Sequence, residues 1–307
     1  MNSPSNAATE SPATQQEVAT VTPSRTRPFY WSVRRELWEN RFLYIVPLAA
    51  GGLFVIGFLV NVIRMRSHLR NAPWTHENFA IPYEIVAALV MGTALLVGLY
   101  YSVDALYGER RDRSILFWKS LPVSDATAVF SKLMIPLVFV PLLSYVITVA
   151  AQLVMLMLSS VVLLGSGVDV GAVWTHSGFL RASGIMLYHI VTVHGLWYAP
   201  IYGWLFMVSA WAPRAPLVWA ALPPFVIYGL EKVAFNTEHF LSLLEERFLG
   251  PETHGLMAAT SGGSPTHSSS TLIPHNFFSE PGLWIGLAVA AVFIAAAVRL
   301  RRYRGPI

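Results

Sequence analysis

The chain has 307 residues, of which 54% are hydrophobic and only 12% charged, and its mean hydropathy is +0.52. Soluble domains carry about 25% charged side chains, so too little polar surface is present to cover a water-soluble globule of this size. The absence of cysteine excludes a disulfide-stapled secreted scaffold and a thiolate metal site.

Residues 1–28 are rich in Ser, Thr, Ala, Pro and Gln and poor in large apolar side chains. Such a composition cannot offset the entropy of ordering, so a disordered cytoplasmic tail is expected. It has no apolar run followed by a small-residue cleavage site, so it is not read as a secretory signal. From 29 to 41 the pattern changes: Phe29, Val33 and Leu37 recur every four residues among Trp31, Trp38, Arg34, Arg35 and Arg41. This predicts an amphipathic helix lying in the membrane interface.

Crossing a hydrocarbon core of about 30 Å takes about 20 helical residues. Six apolar windows meet that length, at about 42–63, 83–104, 133–164, 182–211, 215–233 and 281–298. None shows the alternation of a barrel strand, and only helices or closed barrels satisfy their backbone in lipid. The fold class expected is therefore an all-α integral membrane protein: six transmembrane helices over 42–304, the amino-terminal interfacial helix, and a long outer segment before the last span.

Basic flanks are retained in the cytoplasm. With the amino terminus inside, 15 of the 21 Lys and Arg residues fall on the inner side and 6 outside, three of these being Arg64, Arg66 and Arg70 in the first outer loop. Both termini are thus expected in the cytoplasm. The positive charge is spent on orienting flanks, so no nucleic-acid partner is expected.

The extracytoplasmic segment 234–280 divides in two. Asn236 is expected to cap a helix carrying Phe240, Leu241, Leu244 and Phe248, and 253–275, rich in Gly, Ser, Thr and His, reads as a flexible loop.

No nucleotide-binding fingerprint occurs anywhere in the chain. His189 and His194 lie within the fourth window, and Glu231 sits at the end of the fifth beside Lys232. Ionisable groups inside a membrane are functional candidates, here as polar residues lining a pathway. On an α-helix, five residues turn about 140° past a full circle, so the two histidines are not expected to share a face or form a metal pair. No nucleophile, base and orienter stand in readable order, and neither metal nor cofactor is expected.

The most informative stretch is the loop 104–131. Glu109, Arg110, Arg111, Asp112 and Arg113 form a dense charge run; Ile115, Leu116, Phe117 and Trp118 follow as an apolar knob; Pro122 acts as a stop, and Ser124 as the cap of a helix leading to Lys132. An apolar knob beside dense charge rests on lipid or docks on another protein. The run Tyr107 to Asp125 resembles the loop between the second and third helices of type-2 ABC exporter permeases, the ABC-2 family. The interfacial helix, the six spans and the long outer segment resemble that family as well. The resemblance spans roughly 29–304 and implies several properties. Glu109 to Trp118 would be a short coupling helix seated in a groove of a separate ATPase subunit, which binds the ATP. The outer segment would form re-entrant helices. The permease would work as a homodimer or as a heterodimer with a second permease chain, among the lipids of a bacterial inner membrane. Two rival readings remain at this point: a membrane-embedded metalloenzyme using His189, His194 and Glu231, and a non-transporting structural or sensory membrane protein.

Overall fold

The computed structural model describes residues 26–65, 76–120, 123–164, 171, 174, 179–249 and 277–307. The expected amino-terminal tail, the Arg66 to Arg70 cluster, Pro122 and the 253–275 loop lie outside the described residues. Among the described residues the chain is helical and contains no strand.

Helix α1 runs from Thr26 to Glu39, α2 from Phe42 to Met65 and α3 from His76 to Asp104. Two short helices follow, α4 (Tyr107–Arg111) and α5 (Ser114–Ser120). Helix α6 (Asp125–Met134) continues through a π-helical turn (Ile135–Phe139) into α7 (Val140–Leu163). Helix α8 (Phe179–His189) leads through a π-helix (Ile190–Trp197) into α9 (Ala199–Trp211). Helices α10 (Pro216–Phe235), α11 (His239–Leu249) and α12 (Pro281–Tyr303) complete the chain, with a 3-10 turn at Phe277–Ser279.

Five helical segments among the described residues are long and apolar enough to cross a membrane: Phe42–Val62, Ile81–Arg111, Asp125–Val162, Pro216–Phe235 and Pro281–Tyr303. Among the described residues the chain is thus all-helical, with the several long apolar helices of a multi-pass membrane protein. The remaining expected span, 182–211, is not one α-helix. The π-helix divides it, and a turn at Tyr198 precedes Pro200, whose ring fits the first turn of α9.

The core lies where α3, α7, α9 and α12 meet. Leu43, Tyr101, Leu133, Ile135, Tyr202, Phe206 and Ala297 are buried together, and a second cluster packs Tyr83, Val86 and Val90 of α3 on Met155 and Leu156 of α7. With lipid outside there is no hydrophobic drive between helices, so close van der Waals fit holds them. Gly203 shows the requirement: a β-carbon there would stand 3.2 Å from the Ala290 carbonyl, so α9 and α12 approach closely only because it has none. Helix α10 flanks this body, with Ala220 its buried residue. Trp204 donates to the Ala220 carbonyl at 3.1 Å, and Trp211 meets Trp219 edge to face.

The hairpin from α10 to α11 differs from its sequence reading. Asn236 does not cap α11; it ends α10 in the left-handed region at φ 51°, a conformation Asn tolerates better than most residues. Glu231 does the capping instead, accepting from Thr237 Oγ1 at 2.7 Å and from the backbone N–H groups of His239 and Phe240 at 2.8 Å each. A carboxylate at a helix amino end satisfies orphan donors and the dipole together. Lys232 pairs not with Glu231 but with Glu238, at 2.6 Å.

Candidate functional site

Two clusters lie at opposite ends of α9, about 20 Å apart by helical rise. The first surrounds α4 and α5 at the end of the bundle rich in arginine. Ser209, near the carboxyl end of α9, accepts from the N–H groups of Leu106 and Tyr107 at 3.0 and 2.9 Å, capping α4. In return Arg110 donates to the Ala210 and Ala212 carbonyls at 2.7 and 3.1 Å, capping α9. Each helix thus supplies what the other's terminus lacks. Arg110, although part of the charge run, is therefore buried, because the orphan carbonyls of α9 draw its guanidinium inward.

Its neighbour Glu109 is buried as well and bridges two cations, Lys132 at 3.4 Å and Arg301 at 3.2 Å. Lys132 also meets Glu36 of α1 at 2.7 Å, Glu36 accepts from the Tyr101 hydroxyl at 2.9 Å, and Arg301 pairs with Asp125. Three carboxylates and two cations therefore knot α1, α4, α6 and α12 together, and the Tyr101 hydroxyl adds α3. Burial pushes the Glu36 carboxyl up, but Lys132, the Tyr101 hydroxyl and Arg35 together outweigh it and hold the group below the usual carboxylate range. Buried ions cost several kcal/mol each to desolvate, so every member depends on its partners.

The rest of the loop faces outward. Arg113 joins α4 to α5 with φ 58°, and Arg111 turns to Asp112 at 2.9 Å. Ser124 caps α6 as the sequence predicts, accepting from the N–H of Thr127 at 3.1 Å. Within α5, Ile115 is buried, while Leu116 and Phe117 are 58% and 60% exposed. Trp118 has a different fate from Phe117: the guanidinium of Arg35 lies 3.3 Å from its ring centroid, so this indole ties α5 to α1. The chain's end closes over the same helices, with Lys119 donating to the Arg302 and Arg304 carbonyls and the Ile307 N–H to the Arg110 carbonyl.

The second cluster holds the carboxyl end of α11. Trp197 Nε1 donates to the Glu246 carbonyl at 3.1 Å, and the Tyr198 hydroxyl to that of Phe248 at 2.9 Å. Between them the Arg247 guanidinium stacks 4.1 Å from the Trp197 ring centroid and donates to the Gly282 carbonyl. A β-carbon at Gly286 would stand 2.6 Å from that guanidinium, so the glycine makes its seat. Burial pulls the Arg247 guanidinium below its usual range, partly offset by Glu246.

The histidines also differ from their sequence reading. His189 closes α8 and His194 lies within the π-helix, whose hydrogen bonds close over five residues instead of four, so their spacing is not that of the α-helix assumed from sequence. His194 is buried edge-on to Tyr198, its ring nitrogens without a hydrogen-bond partner among the described residues. The trio of the rival metalloenzyme reading, His189, His194 and Glu231, is not gathered: among the described residues no three His, Asp or Glu side chains are grouped to hold a metal ion.

The sequence singles out Glu109 to Trp118 as candidates, whereas Glu36, Lys132, Ser209, Arg301, Trp197, Tyr198 and Arg247 enter the two clusters only through the structure. Lys132 and Arg301 carried a readable signal, being charges beside long apolar runs; Ser209 carried none. No family model matches the chain, and neither curated proteins nor solved structures gave a match.

Proposed function

We propose that this chain is the membrane-spanning permease subunit of an ATP-driven exporter of the ABC-2 type, working as a dimer of permease chains in a bacterial inner membrane with a separate ATPase subunit. The arginine-rich end faces the cytoplasm and so do both termini. The α8 to α9 stretch supplies the sixth crossing. The observation that carries the reading is the build of α5. Its Ile115 and Trp118 fasten it to the bundle while Leu116 and Phe117 project from it, and α4 beside it is locked to α9 and to the buried ions. A coupling element has to be gripped by its partner and stiffly joined to the spans, and this loop meets both conditions. The sequence resemblance of 107–125 supports the same assignment.

An ATPase carrying a P-loop is expected to be encoded beside this chain's gene, and the test co-purifies it with variants of this chain. An aromatic anchor at an interface centre is worth about 2 kcal/mol, so Phe117→Ala is expected to weaken the complex roughly thirtyfold. Arg113→Ala, removing a rim charge worth under about 1 kcal/mol, is expected to weaken it less than about fivefold. Retention of the ATPase at wild-type yield by Leu116→Ala and Phe117→Ala together, with stimulated ATP hydrolysis intact, overturns the reading.

A further inference from the structure

We infer that the outward face of α1 binds the phosphate of an anionic phospholipid, with Arg34 as the recognising group. Helix α1 is sided in an unusual way. Its carboxylates are taken up by the protein: Glu36 is buried against Lys132, and Glu39 is paired with Arg35 at 2.6 Å. The opposite face carries Tyr30, Trp31 and Trp38, with the two indoles 57% and 67% exposed. The Arg34 guanidinium lies between those indoles, 5.2 Å from the Trp31 centroid and 4.7 Å from the Trp38 centroid. Among the described residues it makes no ion pair and no side-chain hydrogen bond.

Stacking on an aromatic face fixes the plane of a guanidinium and leaves its edge N–H groups free. That fork matches two phosphate oxygens. Position names the source of the phosphate: Trp38 stands four residues before Phe42, where the first apolar span begins, so the clamp sits at the depth of the headgroups. Tryptophan favours this layer, and an unpaired arginine there is attracted by anionic lipid. With every acidic group of α1 engaged elsewhere, the exposed face is positive and complementary to a phosphatidylglycerol headgroup. The inference needs only that α2 crosses a bilayer, and it stands or falls independently of the exporter reading.

The full chain is reconstituted in nanodiscs of equal phosphatidylcholine and phosphatidylglycerol, and retained lipid is counted by native mass spectrometry. The wild type is expected to retain phosphatidylglycerol preferentially. Arg34→Gln is expected to lower that retention about fivefold, the worth of one arginine at an anionic surface. Arg34→Lys keeps the charge but not the stacked fork and is expected to restore less than half of it. Because Arg34 bonds to no buried group, all variants are expected to melt with the wild type, which keeps the comparison clean. Equal retention of the two lipids by the wild type, unchanged retention by Arg34→Gln, or full rescue by lysine each overturns the proposal. So does a loss of ATPase co-purification in Arg34→Gln with lipid retention unaltered, which would assign the face to the protein partner.

Discussion

The two ends of α9 solve the same problem by different chemistry. At the arginine-rich end, helix termini are capped by charged and hydroxyl side chains, and four buried ions and the half-buried Asp125, drawn from four helices, lean on one another. At the far end, the carboxyl terminus of α11 is held by two neutral aromatic donors and one guanidinium bonded to backbone carbonyls. The first arrangement is cooperative, because removing any member strands a charge. The second is modular, because each donor serves its own carbonyl. Charges that lean on one another tie their helices into one body, whereas local bonds hold each docked segment by itself.

The largest expected effect comes from stranding charge. Lys132→Met leaves Glu36 and Glu109 buried without their shared cation, and breaking a buried pair this way costs about 3–5 kcal/mol. Thermal unfolding in detergent is expected to show that loss, and adding Glu36→Gln is expected to recover part of it. Full additivity of the two substitutions would mean that the ions do not act as a network.

A smaller and local effect is expected at the far end. Gly286→Ala drives a methyl group into the Arg247 seat, and overpacking of this kind costs about 1–3 kcal/mol. Hydrogen exchange should rise over α11 while α4 and α5 keep their protection. An equal rise at both ends would make the second cluster as cooperative as the first.

Acid should separate the ends again. The native Glu36 carboxyl lies below its ordinary value, so its contribution is complete above the unfolded-state value of about 4.3 and is lost as pH falls through the native one. The Glu36 contribution, read as the difference between wild type and Glu36→Gln, is expected to be constant from neutrality down to about pH 4.5 and to fall below it. Gly286→Ala should leave the midpoint of that fall unchanged.

The smallest effect is expected at the joint between α4 and α5. Arg113 holds a left-handed conformation that costs a side-chain-bearing residue about 1 kcal/mol. Arg113→Gly relieves this while adding chain entropy, so a net gain within about 1 kcal/mol is expected, read as a small rise in melting temperature. A clear loss would show that the Arg113 side chain, not the backbone, matters at the joint.

Hydropathy, a local property, was enough to read α2, α3, α7, α10 and α12 as long apolar helices, because lipid compels any charge-free run of that length to satisfy its own backbone. The Ser124 cap lay within a few residues of its signal and was legible too, whereas the break at Arg113, which divides the expected short helix of Glu109 to Trp118 into α4 and α5, had no signal. The partners of the charges were not. Glu36 finds Lys132 across 96 residues, and Glu109 finds Arg301 across 192, and nothing in the spacing of either pair marks the other. Arg110 and Arg113 look alike in sequence, yet one is drawn inward by the carbonyls that end α9 and the other stays in solvent. Phe117 and Trp118 look alike in sequence, and only the approach of Arg35 from α1 separates the exposed side chain from the internal tie. Burial depends on which distant terminus or ion arrives beside a residue, so the tertiary structure alone could decide it.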